Sequence, residues 1–174
     1  MKPGQAFIEL DKSAHDRKSF DCGIQQLNTF LSQFAMRHRA AGISKTMVLP
    51  ARDDHAQICA FYTLSHTEIE RETLPASLAK KLPHYPIPVM LVAQLAVHKG
   101  AQGQGLGKIC LIRALRHAYE INLHLPSYAV VVDALDETVQ GFYKQYGFQP
   151  LDIHNSHMRM FLPMRTIEQL FMEG

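Results

Sequence analysis

Val89-Met90-Leu91-Val92-Ala93-Gln94-Leu95-Ala96-Val97 leads through His98-Lys99-Gly100-Ala101 into Gln102-Gly103-Gln104-Gly105-Leu106-Gly107-Lys108, and this join of an apolar run to a glycine-rich one decides the fold. The first run is interrupted only by Gln94, which predicts a strand buried on both faces. The second places three glycines where a turn becomes a helix. Each costs a helix interior about 1 kcal/mol against alanine, so they need a reason other than helix stability. Close approach of the backbone to a ligand supplies one. Bare amides aimed out of a helix N-terminus make an anion site, and the usual anion is a phosphate. Two phosphate-binding patterns do not match. A Walker loop requires Ser or Thr after Gly107-Lys108, where Ile109 stands, so no hydroxyl is offered to magnesium. A dinucleotide fingerprint requires a third glycine where Gly103-x-Gly105-x-x-Lys108 has lysine.

Downstream of the loop, Ile109, Leu111, Ile112, Leu115, Ala118 and Tyr119 recur at helical spacing and predict a helix ending near Leu123. Tyr128 to Leu135 predicts a second fully apolar strand. Asp136 is placed to cap a helix carrying Val139, Phe142 and Tyr146, with Gly147 as its left-handed end. Met158 to Met164 predicts a last strand, and Thr166 the cap of a short terminal helix. Upstream, Phe7 to Leu10 predicts a short strand. Asp21 is the expected N-cap of a helix built on Ile24, Leu27, Leu31, Phe34 and Ala35 and closed by Gly42. Lys45 to Arg52 and Ile58 to Ser65 read as a hairpin around Asp53-Asp54-His55. Leu74 to Leu82 predicts a short helix, after which Pro83, Pro86 and Pro88 hold the chain extended. The sum is an α/β fold in one domain over residues 1–174, with a mixed central sheet flanked by helices.

The loop resembles the acyl-coenzyme A signature of the GNAT acetyltransferases, Gln/Arg-x-x-Gly-x-Gly/Ala, through Gln102, Gly105 and Gly107. That resemblance implies a GNAT-like domain in which the segment Gln102, Gly103, Gln104, Gly105, Leu106, Gly107 and Lys108 holds the pyrophosphate of acetyl-CoA. It further implies that Leu95, Ala96 and Val97 pair with the pantetheine arm.

Phe142-Tyr143-Lys144-Gln145-Tyr146-Gly147-Phe148 carries the second half of the resemblance. With Val139, Phe142 and Tyr146 facing the core at i, i+3 and i+7, Tyr143 is turned to the edge of the apolar stripe, from which a phenol can reach a cleft. Spacing alone favours a packing aromatic. The family resemblance implies instead that Tyr143 is the catalytic acid protonating the departing thiolate, a role suited to a phenol of pKa about 10.

Together with Phe20-Asp21-Cys22-Gly23 and the Pro86-Ile87-Pro88-Val89 lead-in, these segments resemble the tRNA-acetylating toxins of toxin-antitoxin pairs. The implied activity is acetylation of the α-amino group of aminoacyl-tRNA, blocking translation. The implied partners are that tRNA and a ribbon-helix-helix antitoxin encoded adjacently, with a homodimer possible. Arg39, Lys80 and Lys81 are the candidate RNA-binding residues, although Arg39 also suits a helix C-terminus as a solvated cation. Two alternatives share the coenzyme features: an acetyltransferase for a small amine or a protein N-terminus, and a non-catalytic acyl-CoA-binding module. The basic segments speak against a polyamine groove, and Tyr143 speaks against the non-catalytic reading.

Composition sets the remaining bounds. A chain of 174 residues, 47% hydrophobic and 20% charged, suffices to bury about 70% of its unfolded surface without metal or disulfide. Cys22, Cys59 and Cys110 are odd in number and widely spaced, predicting buried reduced thiols. His154-x-x-His157 lacks a third ligand type, so no metal site is expected. No apolar run is long enough to span a membrane and the N-terminus lacks a secretory core, from which a cytoplasmic location is expected. A net charge of +2 is too small to announce RNA binding, so RNA contact requires local patches.

Overall fold

The computed structural model describes residues 1–172. Its strands are β1 (Ile8–Glu9), β2 (Ser44–Pro50), β3 (Ile58–Ile69), β4 (Ile87–Val97), β5 (Ala129–Ala134), β6 (Gln149–His154) and β7 (His157–Pro163). The α-helices are α1 (Gln25–Thr29), α2 (Ala35–Ala40), α3 (Ala76–Ala79), α4 (Leu106–Asn122), α5 (Glu137–Gln145) and α6 (Met164–Met172). The strands form one mixed sheet in the order β1-β2-β3-β4-β5-β7-β6. Its parallel pair joins the two apolar strands, from Met90↔Val130 to Val92↔Val132. The hairpin expected around Asp53-Asp54-His55 is the antiparallel pair β2 and β3.

By internal packing the chain falls into two compact units, Met1–Ser65 with Ala93–Ala114, and His66–Val92 with the residues from Leu115 onward. The first is centred on Phe61, fully buried, with Phe20 edge-on at 5.2 Å and Phe30 stacked at 6.4 Å between ring centroids. Complete burial of such a side chain is worth roughly 1.5–3 kcal/mol, so Phe20 anchors the segment before α1 to the sheet and Phe30 anchors the turn after it. The second unit buries Ile69, Leu74, Ile87, Val89, Val131 and Phe161 in one cluster.

Local chemistry sets several element ends. Asp136 accepts a hydrogen bond from Val139 N at 2.9 Å and so caps α5. At the other end Gly147 has φ +94, Gly147 N donates to Lys144 O at 3.0 Å and Phe148 N to Tyr143 O at 3.2 Å. These two bonds are the Schellman motif, which only a residue at ease with positive φ can close. Gly42, at φ +76, ends α2 in the same way through Gly42 N to Arg39 O and Ile43 N to His38 O.

Several expectations are corrected. Asp21 does not cap the first helix: that helix starts at Gln25, and the Asp21 carboxylate accepts from Gly23 N and Asn28 Nδ2. The helix is also interrupted by a π-helical turn, Phe30–Phe34, that apolar spacing did not reveal. Thr166 lies inside α6, which begins two residues earlier at Met164. The short helix shrinks to Ala76–Ala79, after a 3-10 turn at Arg71–Thr73. β3 runs on to Ile69, and Ser65 to Glu68 alternate between half-buried and exposed, the period-2 pattern of a strand carried by polar residues. β6 was missed entirely: it is mostly exposed, contains Pro150, and lies at the sheet edge where proline is tolerated. Its turn to β7 is a two-residue hairpin with Asn155 at φ 47 and Ser156 at φ 67, which places His154 opposite His157.

Candidate active site

The burial of β4 changes along its length. Val89, Met90 and Val92 are buried, whereas Ala93, Gln94, Leu95 and Val97 are half-buried, which corrects the expectation of a strand covered on both faces throughout. The half-covered apolar end contains Leu95, Ala96 and Val97, the residues expected to meet an acyl arm. A 3-10 turn, Lys99–Ala101, capped by His98 Nδ1 accepting from Gly100 N, then turns the chain toward α4.

Gly103 has φ +82 and Gly105 has φ +76, and a Cβ added at either would meet no protein atom within 4 Å. The conformation requires glycine, and packing does not. Ile109 N donates to Gly105 O at 3.3 Å, so Leu106, Gly107 and Lys108 lie in the first turn of α4, before any amide reaches a helical carbonyl. Amides at such an end, under open space, fit an anion such as a pyrophosphate. Leu106 is buried and anchors the turn, while Lys108 is exposed beside it.

The two glutamines of the loop serve the protein with their side chains. Gln102 Nε2 donates to Val97 O at 2.9 Å and Cys22 O at 3.2 Å, and Gln104 Nε2 to Ala101 O and Met1 O, each at 3.3 Å.

Tyr143 is the buried residue of α5, only 6% exposed, while Val139, Phe142 and Tyr146 are half-buried. The expectation that Tyr143 lies on the rim of the apolar stripe is therefore reversed: it is the centre. Its ring packs edge-on against Phe142 at 5.3 Å and Phe148 at 5.4 Å. The second contact follows from the helix end, since Tyr143 and Phe148 are the C3 and C″ positions that a Schellman motif brings together. Phe-Tyr-x-x-x-Gly-Phe thus locks the tyrosine ring by local geometry.

Cys110 is fully buried on α4, its Sγ donating to Phe61 O at 3.4 Å, and burial pushes the thiol far up. A nucleophilic thiolate there is unfavourable. Cys22 and Cys59 are also buried and raised by desolvation.

Of the basic candidates, Arg39 Nε is paired with Glu9 Oε1 at 2.8 Å, and Lys45 shares the same carboxylate at 3.4 Å. The Arg39 hydrogen bond is the main cause holding the Glu9 carboxyl below its ordinary range. Lys80 and Lys81 are exposed just past α3. Sequence reasoning passed over the residue that holds them there: Arg71 Nε donates to Ala79 O at 2.7 Å and Leu82 O at 3.1 Å. It also missed Arg159, buried on β7 and bidentate to Asp133 on β5 at 2.8 and 3.0 Å. Cross-strand register alone makes that pair, so no local signal announced it. Among the described residues no group of three or more His, Cys, Asp or Glu could hold a metal ion, and no helix is long and apolar enough to cross a membrane. A cavity of about 450 Å3 lined by Gly4, Ile8, Pro50, Arg52 and His55 contains none of the loop residues.

Known proteins resemble this chain over nearly its whole length. A probable toxin TacT from Sinorhizobium fredii (strain NBRC 101917 / NGR234) is 30% identical over 169 residues, 92% of each chain. The structure of AtaT complexed with acetyl-methionyl-tRNAfMet is 32% identical with a TM-score of 0.86, covering 95% of this chain and 98% of that one. A tyrosine-to-phenylalanine variant of the AtaT toxin, bound to the C-terminus of the antitoxin AtaR and acetyl-CoA, is 28% identical with a TM-score of 0.79, covering 95% and 97%. Residues 44–150, which span the half-covered end of β4, the glycine turn and the locked tyrosine, match the acetyltransferase (GNAT) domain, and the chain belongs to that family.

Proposed function

We propose that this chain is an acetyl-CoA-dependent N-acetyltransferase toxin that acetylates the α-amino group of aminoacyl-tRNA and thereby blocks translation. The observation that carries the reading is the glycine turn, with positive φ at Gly103 and Gly105, open space above it and the amides of a long helix behind it. Those features fit the pyrophosphate of acetyl-CoA, with Gln102 to Lys108 around it and Leu95, Ala96 and Val97 beside the pantetheine arm. The likeness to AtaT, solved with an acetylated aminoacyl-tRNA and with acetyl-CoA, supports both substrates.

Acetyl-CoA supplies an activated thioester when bound. The chain's own groups have modest tasks. An α-amino group has a pKa of about 8, so a useful fraction is neutral at pH 7 and direct attack requires no strong base. Amides of β4 around Leu95 to Val97 are suited to the developing oxyanion. The Tyr143 hydroxyl gives its proton to the departing sulfur as the C–S bond breaks, from a ring held by Phe142 and Phe148, and the proton shed by the acetylated nitrogen restores the phenol by way of solvent. Burial of Cys110 on α4 argues against an acyl intermediate on that thiol and favours direct attack.

Lys80 and Lys81, presented by the Arg71-braced turn, serve as phosphate contacts, and Arg39, about half exposed beside its partner Glu9, adds to them. The same reading includes an adjacently encoded antitoxin of the ribbon-helix-helix class, a homodimer and a cytoplasmic location. It also takes residues 1–174 as one domain, since β3, β4 and α4 each continue from one compact unit into the other. The deciding experiment incubates total charged tRNA with the purified protein and labelled acetyl-CoA, then analyses the aminoacyl ends by mass. Acetylated aminoacyl ends are expected. Rapid acetylation of free amino acids or polyamines, with charged tRNA inert, would overturn the RNA assignment.

A further inference from the structure

Phe20-Asp21-Cys22-Gly23 has no part in the chemistry above, yet it is bonded to the coenzyme loop through Gln102 and to the turn before it through Lys99. Gln102 Nε2 has two hydrogens, and both go to main-chain carbonyls: Val97 O, the last residue of β4, at 2.9 Å, and Cys22 O at 3.2 Å. The side chain therefore has no donor left for a phosphate. Cys22 N in turn donates to Asn28 Oδ1 at 2.9 Å, and Asn28 Nδ2 donates to Asp21 Oδ1 at 2.9 Å. Asp21 Oδ2 meets Lys99 Nζ at 3.1 Å, and Lys99 N donates to Asp21 O at 2.8 Å, which closes the circuit at the turn leading into the loop. The Gly23 amide, the Asn28 amide and Lys99 together pull the Asp21 carboxyl down to about 2, so it stays charged through the neutral range. Phe20, buried, sets its ring edge-on to His98 at 5.5 Å and fixes the strap from below.

We propose that the segment from Phe20 to Asn28 is a strap that holds the coenzyme loop in its binding conformation, with Gln102, Asn28 and Asp21 as positioning residues. A loop containing two glycines at positive φ has many alternative conformations, and each must be given up when a ligand is bound. Fixing the loop beforehand removes that loss from the binding step. Gln102 thus acts on acetyl-CoA through the backbone it tethers. The proposal rests on the assignment of the loop to acetyl-CoA.

The test measures initial rates against acetyl-CoA concentration, acetyl-CoA binding by calorimetry, and thermal melting, for the full chain and four variants. Gln102→Leu should raise both KM and Kd for acetyl-CoA about tenfold, with kcat at saturation and melting temperature little changed. Asn28→Ala, one bond removed from the loop, should shift KM and Kd in the same direction by about threefold. Gln102→Arg brings donors for both carbonyls and should recover most of the loss seen with Leu. Gly105→Asp reports on the underlying assignment, because it blocks the loop directly. If Gly105→Asp weakens acetyl-CoA binding on the order of 100-fold while Gln102→Leu binds like the parent, the strap is overturned and the loop assignment stands. If Gln102→Leu weakens binding and Asn28→Ala does not, Gln102 touches the ligand itself and the strap is again overturned. If Gly105→Asp binds normally, the loop assignment fails first.

Discussion

Gly105 and Gly147 have the same backbone requirement and opposite surroundings. Both have positive φ, +76 and +94, but a Cβ on Gly105 would meet nothing within 4 Å, whereas one on Gly147 would touch Leu162 Cδ1 at 3.5 Å. Gly147 ends a helix, and its own amide and that of Phe148 are spent on carbonyls of α5. Gly105 begins one, so the amides after it face outward. Gly42 separates the two variables: it is open, at φ +76, but it ends α2 and its amide is spent on Arg39 O. Of these two open glycines, Gly105 and Gly42, only Gly105 stands at the donor end of a helix.

The sharpest way to use that contrast is through the residue that the Gly147 turn holds in place. Tyr143→Phe keeps the ring contacts with Phe142 and Phe148 and removes one oxygen, so turnover should fall about 100-fold to 10,000-fold while acetyl-CoA affinity and melting temperature hold. Turnover within a few-fold of the parent would make Tyr143 a packing residue. Gly105→Asp should next cost acetyl-CoA affinity on the order of 100-fold, about 2.7 kcal/mol, by placing bulk and negative charge where phosphate binds. Calorimetry on the folded variant showing parental affinity would break the comparison.

Gly147→Ala should leave acetyl-CoA affinity alone and lower stability by about 1–2 kcal/mol, the cost of a left-handed alanine. A denaturant titration measures it, and a variant as stable as the parent would show that the cap is dispensable. The smallest effect concerns neither glycine. His15 is buried and its Nδ1 accepts from Asp11 N, and desolvation holds its pKa below the ordinary value against the pull of Asp11. The unfolded chain then takes up a proton more readily than the folded one as pH drops below about 6.5. The melting temperature should accordingly decline from pH 7.5 to pH 5.5. His15→Gln, which keeps an acceptor for Asp11 N, should flatten that decline, and an unchanged profile would assign the acid sensitivity elsewhere.

The sequence by itself determined what depends on near neighbours. The β4-loop-α4 join, the Asp136 cap, the Gly42 and Gly147 ends and the reduced buried cysteines were all legible, because a capping bond or a positive φ is decided within about six residues. Tertiary structure decided the rest. Tyr143 is the centre of its helix's buried face, and apolar spacing placed it on the rim because the covering surface, including Phe148 beyond the helix end, is absent from a helical projection. Polar β6 gains its strand character from the ladder of β7, to which a sequence window is blind, and the end of β3 alternates in burial without apolar residues to announce it. The pairs Glu9–Arg39 and Asp133–Arg159, and the bond from Gln102 to Cys22 that ties the loop to the segment before α1, join residues 30, 26 and 80 positions apart. Such contacts exist only once folding has paid the loop-closure entropy that brings their partners together, and no local preference of either residue encodes the other.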